Sequence, residues 1–193
     1  LLLTREDLPE VQNVLDNLDL FICPNANPDG TYRGGNHTVN GATRANAYGV
    51  DMNRNYPDPV DGAHPDGEDY AIETEWFMDL AEEYQFTMAA HYHGGAEVMN
   101  YPWDNNYERH ADDAWWQMVS REYADLCQDA AQSSDPYYMT DEENGITNGA
   151  DWYTIGGGRQ DFMNYYHQCR EVTIECSSVK CPAPSNLPTF WDY

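Results

Sequence analysis

A chain of 193 residues with 41% hydrophobic and 13% aromatic residues has the length and apolar content of one ordinary folded domain, which excludes a disordered chain. Thirty-four acidic residues against nine basic ones leave a net charge of −25, with a single lysine, Lys180. Such a field repels nucleic acid and anionic membranes while drawing in cations, and no apolar run approaches the roughly 20 residues of a membrane helix.

Lysine depletion with an acid surplus predicts a protein suited to salty, halophilic surroundings, where screening relieves self-repulsion. Five cysteines without Cys-x-x-Cys spacing argue against a cysteine zinc site; they permit one disulfide and leave at least one thiol unpaired. Leu1, Leu2 and Leu3 read as the middle of a helix, so the chain is expected to begin within a longer protein, any secretory signal lying upstream. A monomeric, extracellular protein is the expectation.

In chain order, residues 8–18 carry helical apolar spacing, and residues 18–24 read as a short buried strand. Residues 25–67 form a long stretch rich in Asn, Gly and Asp, with specific arginines that favour a functional loop. Residues 68–84 predict a helix, with Ile72, Trp76, Leu80 and Tyr84 repeating every four positions. Residues 86–93 and 98–101 predict strands separated by Gly94-Gly95, and 114–131 an amphipathic helix. A polar loop over 133–158 precedes a β-branched strand over 169–176. Strands alternating with helices, with long loops at strand ends, imply an α/β fold: one domain over 1–193, with ligands at the carboxyl edge of the sheet.

Four segments concentrate the chemistry. Asn27-Pro28-Asp29-Gly30 closes the first strand, and a run from Arg44 to Asn55 contains Gly49-Val50-Asp51-Met52-Asn53-Arg54-Asn55. His91-Tyr92-His93-Gly94-Gly95 leads to Asn100-Tyr101-Pro102-Trp103-Asp104. Finally Thr147 to Tyr153 and Gly157-Gly158-Arg159-Gln160-Asp161-Phe162 precede Val172-Thr173-Ile174-Glu175. An arginine fork is the natural bidentate clamp for a carboxylate. A glutamate inside an otherwise apolar strand needs a reason to be there.

In this order the segments resemble the zinc metallocarboxypeptidases, most closely their carboxypeptidase N/E-like branch, over essentially the whole chain. The resemblance implies a mixed β-sheet flanked by helices, lacking the family's N-terminal strands, and hydrolysis of C-terminal residues from peptides. It assigns the substrate carboxylate to Arg54 with Asn53, and the scissile carbonyl and oxyanion to Arg44. Glu175 becomes the general base, and His93 a Zn²⁺ ligand with His91 as its rival on the same strand face. Tyr153 becomes the tyrosine that closes over substrate. Asp104, lined by Gln160, becomes the acidic selector of a C-terminal Arg or Lys, so basic peptide or protein C-termini are the expected partners. The plainer reading makes Asp104 and Asp161 solvated loop carboxylates, Trp152-Tyr153 loop packing, and Glu171 a structural or rim carboxylate.

One departure stands out. The family's first two zinc ligands sit in a His-x-x-Glu motif ahead of the first helix, and no histidine here has a glutamate three residues on. The chain is then a fragment of an active enzyme, or a pseudoenzyme that only binds peptide C-termini. A murein-peptide amidase or small-amide deacylase is the alternative chemistry. The end of the chain, 187–193, resembles the start of the family's last helix.

Overall fold

The computed structural model describes Arg5 and residues 7–193, without the side chains of Glu10, Trp191 and Asp192. Leu1, Leu2 and Leu3 lie outside the described residues. In chain order come α1 (Pro9–Asn17), α2 (Pro28–Thr31), a 3-10 turn (Met52–Arg54), α3 (Ile72–Tyr84), β1 (Met88–His93) and β2 (Ala96–Tyr101). Then follow α4 (Asp113–Ala131), α5 (Asp141–Asn144), β3 (Ile146–Asn148), α6 (Gly149–Trp152), α7 (Arg159–His167), β4 (Arg170–Ser177) and α8 (Leu187–Asp192).

The four strands form one mixed sheet in the order β1-β4-β2-β3. β4 is parallel to β1 and antiparallel to β2, and β2 is parallel to β3. The sheet is therefore the expected mixed α/β arrangement, with β4 inside it and buried along nearly its whole length. Its alternating side chains divide two jobs. Val172 and Ile174 join Met99, Tyr101 and Trp116 in the larger core beneath α4. Glu171, Thr173 and Glu175 project to the opposite face, where α3 and α7 pack through Phe77, Phe162 and Met163.

Helix α4 earns its place by periodicity. It buries Trp116, Ser120, Ala124, Cys127 and Ala131, three or four positions apart on one face. Trp116 is 2% exposed and is the largest of the fully buried side chains. Trp116→Ala is expected to cost about 3–5 kcal/mol of unfolding free energy, read by chemical denaturation, because the cavity left cannot fully collapse.

Two expectations are corrected. Residues 18–24 form no strand: Leu18, Leu20, Phe21 and Ile22 are all exposed. Their apolar character is used in ring packing instead, Phe21 lying 4.6 Å from Tyr84 and 5.1 Å from Phe86. The stripe on α3 is also not a core face, for Ile72 and Trp76 are exposed while Thr74 and Ala81 are buried. The helix meets α7 through its Phe77 and Met78 side instead. Within the loop predicted over 133–158 the chain forms α5, β3 and α6. All five cysteines are free thiols. Among the described residues no helix is long and apolar enough to cross a membrane.

Candidate active site

The segment 44–55 builds one wall. Asp51 caps the 3-10 turn, its Oδ1 accepting from Asn53 N at 3.1 Å, while its Oδ2 lies 2.6 Å from Arg44 Nε. Asn53 Oδ1 accepts from Arg159 N at 2.9 Å and so joins the turn to the start of α7. Arg54 donates from Nη1 to the Asn53 carbonyl at 2.6 Å. Gly157 must be glycine: its φ is +71°, and a Cβ there would lie 2.1 Å from the Arg54 carbonyl oxygen. Asn55, fully buried, closes the segment by accepting from Ala71 N at 2.7 Å, immediately before α3.

The sheet supplies a second wall. In the parallel β1–β4 register His91 lies opposite Thr173 and His93 opposite Glu175, placing both pairs on one face. The two histidines are distinguished by their partners. His91 Nε2 is 2.9 Å from Thr173 Oγ1, and its Nδ1 is 2.8 Å from Glu171 Oε1, an ion-pair contact without aligned hydrogen-bond geometry. Both ring nitrogens of His91 are thus engaged. His93 has no hydrogen bond to another described side chain, and burial, with the charges of His91, Arg44 and Arg54, pushes its pKa down to about 3. A neutral imidazole keeps a lone pair free to bind a metal.

Glu175 is 8% exposed, and burial raises its pKa against the lowering fields of Arg44, His91 and Lys180. Its Oε2 is buried without a hydrogen-bond partner among the described residues. Lys180 was not singled out by any motif. It lies across the glycine pair, its Cε 3.1 Å from where a Gly95 Cβ would stand. Glu171 is completely buried, its Oε1 lying 2.8 Å from His91 Nδ1 and 3.2 Å from the charged Arg159 at Nε; it is a structural carboxylate and not a rim one.

Arg44, Asn53, His91, His93 and Arg159 line a cavity of about 1050 Å³, bounded on its far side by residues 19–27. Asp104 and Gln160 lie beyond β1 and β4, reached through the polar chain that starts at His91. Thr173 N and Oγ1 donate to Gln160 Oε1 at 2.8 and 3.0 Å, and Gln160 Nε2 donates to Asp104 Oδ1 at 2.9 Å. Asn100 Nδ2 adds a second donor to the same oxygen at 2.9 Å. Asp104 and Asp161 are 2% and 1% exposed, which overturns the reading of both as solvated loop carboxylates. Tyr153 is half exposed and packs on Trp152 at 4.8 Å, outside the cavity lining.

A mixed sheet presenting an unpartnered histidine beside a buried glutamate, next to a wall of arginine and asparagine, has the groups of a hydrolase acting on an anionic ligand. The chain matches the zinc carboxypeptidase family over residues 1–193, and it belongs to that family. It is 36% identical over 191 residues to carboxypeptidase SOL1 of Arabidopsis thaliana, covering 96% of this chain and 36% of that protein. It is 34% identical to human carboxypeptidase D, covering 95% of this chain and 14% of that one, and 32% identical to mouse carboxypeptidase M, covering 97% and 44%. The chain therefore spans less than half the length of these relatives. Among solved structures, carboxypeptidase A from Helicoverpa armigera superposes with a TM-score of 0.68 at 19% identity, over 89% of this chain and 48% of that one. Thrombin activatable fibrinolysis inhibitor gives 0.65 at 16%, over 87% and 45%. These two likenesses establish the fold.

Membership implies zinc, and a catalytic zinc takes three protein ligands with an open position. Among the described residues no three His, Cys, Asp or Glu side chains are arranged to hold a metal. His93 is one candidate ligand and His91 is committed elsewhere, so the described residues do not fit a catalytic zinc by themselves.

Proposed function

We propose that the protein removes single C-terminal residues from peptides, with a preference for lysine or arginine at that end. The observation that carries this reading is the juxtaposition of Arg44, Asn53 and His93 around one cavity, with Glu175 opposite His93 in the β1–β4 register; Glu175, Arg54 and the buried acid Asp104 lie outside the cavity lining. Membership of the zinc carboxypeptidase family supports zinc dependence, and His93 would be the one ligand the described residues supply. Arg54 and Asn53 hold the terminal carboxylate, Arg44 stands by the scissile carbonyl, and Glu175 takes a proton from the attacking water and returns it to the leaving amine. Tyr153, exposed at the margin, covers bound peptide. A salt-rich, extracellular setting fits the −25 charge, which also favours capture of basic peptides.

Selectivity tests the reading. Asp104→Asn is expected to reduce turnover of peptides ending in lysine or arginine about 10–100-fold relative to those ending in norleucine, the scale of one lost hydrogen bond to a charged group. Equal losses on all three would separate Asp104 from specificity.

The same residue predicts a pH dependence. Burial, opposed by Asn100, His91 and Arg54, raises the Asp104 pKa to about 6. The selecting charge is present above that value and is lost as pH falls through it, so preference for basic over neutral ends should decline between about pH 7 and pH 5. The stability linkage runs the other way: a raised carboxyl opposes folding at neutral pH, and that penalty is relieved as pH falls from about 6 toward its ordinary value of 3.8. The ratio of kcat/KM for lysine- and norleucine-ended peptides, measured across that range, checks this; a flat ratio contradicts it.

A further inference from the structure

The first turn of α7 holds Asp104 twice. Gln160 binds its side chain, and the next residue, Asp161, binds its backbone: Asp161 Oδ1 accepts from Asp104 N at 2.8 Å, and Oδ2 accepts from Asp104 N at 3.1 Å and Asn105 N at 2.9 Å. Both oxygens of a side chain that is 1% exposed are thereby spent on two consecutive amides. Asn105 is tied down further, its Nδ2 donating to Asp58 Oδ1 at 3.0 Å and Asp61 Oδ2 at 2.7 Å.

This is a costly way to satisfy two amide groups. It sets a buried carboxylate beside the carboxylate that the proposed function reads as the selector, and like charges so placed resist joint ionisation. Burial and then the charge of Asp104 raise Asp161 well above the ordinary carboxyl range. An asparagine could accept one amide, but its own N–H₂ would oppose the other. What the carboxylate supplies and the amide cannot is a two-point anchor for residues 104 and 105.

We propose that Asp161 is a positioning residue of the basic-side-chain pocket: it aims Asp104 by gripping the amides of Asp104 and Asn105, and it never meets substrate itself. This rests on the reading of Asp104 as the selector. The groups facing Asp104 are Asp161 from α7, Asp58 from the loop after the 3-10 turn, Arg54 from that turn and His91 from β1, with Asn100 and Gln160 as neutral donors. Replacing the Asp161 carboxyl by an amide of the same shape should therefore loosen the anchor, because the amide N–H₂ opposes one of the backbone N–H groups now held.

The test is calorimetric binding of Nα-acetyl-lysine and Nα-acetyl-norleucine between pH 5 and 8, with the wild-type protein and Asp161→Asn. At pH 8 the variant should lose roughly tenfold in the lysine-to-norleucine affinity ratio, as expected of a charge set slightly out of place, with norleucine affinity unchanged. A variant with the wild-type ratio overturns the proposal. A wild-type protein that does not distinguish the two ligands removes the selector itself, a separate failure that takes the proposal with it. Should Asp161→Asn bind neither ligand, amide hydrogen exchange in the wild-type protein decides: the N–H groups of Asp104 and Asn105 should be protected, and exchange at free-chain rates overturns the proposal.

Discussion

Glu175→Gln in the active protein is expected to cut turnover about 10²–10⁴-fold while leaving peptide affinity nearly unchanged. The side chain is held on a buried strand, opposite His93, with Oε2 unpartnered, so it is available for a proton and poorly placed for structure. Burial raises its pKa, which favours a base poised to accept a proton and later release it. Glutamine keeps the shape and the hydrogen-bond reach but cannot carry the proton. Parallel losses in affinity and turnover would instead indicate a structural carboxylate, and single-turnover kinetics beside equilibrium binding separates the cases.

Arg54→Ala is the second large effect, an expected loss of about 2–5 kcal/mol in binding peptides with a free C-terminus, as for one partner removed from a hydrogen-bonded charge pair. Among the described residues the guanidinium makes its hydrogen bond from Nη1, to the Asn53 carbonyl. Its remaining donors match a carboxylate fork. The charge of Arg54 lowers the pKa of both His93 and Asp104. Arg54→Lys should recover little, because a point charge does not reproduce two parallel N–H donors. Competition binding with a fluorescent peptide reads both variants.

The parts of the fold that could be read from sequence were those whose residues are constrained locally. Helix α4 declares itself through the spacing of Trp116, Ser120, Ala124 and Cys127. Strand β4 was visible from its β-branched, alternating residues and β1 as the run leading into Gly94-Gly95, and their register then placed His93 beside Glu175. The run from Asp51 to Asn55 was legible through its resemblance to the zinc metallocarboxypeptidases; in the fold Asp51 caps the 3-10 turn and Asn55 anchors the chain ahead of α3.

What failed were inferences that needed tertiary partners. Residues 18–24 have strand composition, but no described strand pairs with them. Strand β3 is only Ile146, Thr147 and Asn148, too short for any periodicity to show. The burial of Asp104 was invisible because a lone aspartate after Tyr-Pro-Trp looks like a loop acid. Its environment is assembled from Asn100, Gln160 and Asp161, brought together by β2 and the start of α7. Lys180 carried no motif at all, and its relation to Gly95 exists only in the folded chain.

The claim on which the rest depends is that this chain grips the free end of a peptide. Equilibrium binding of one lysine-ended peptide and of its C-terminal amide, which differ only in that charge, tests it most directly. The carboxylate form is predicted to bind at least about thirtyfold more tightly, and Arg54→Ala to bring the two together. Equal affinities in the wild-type protein would contradict the account.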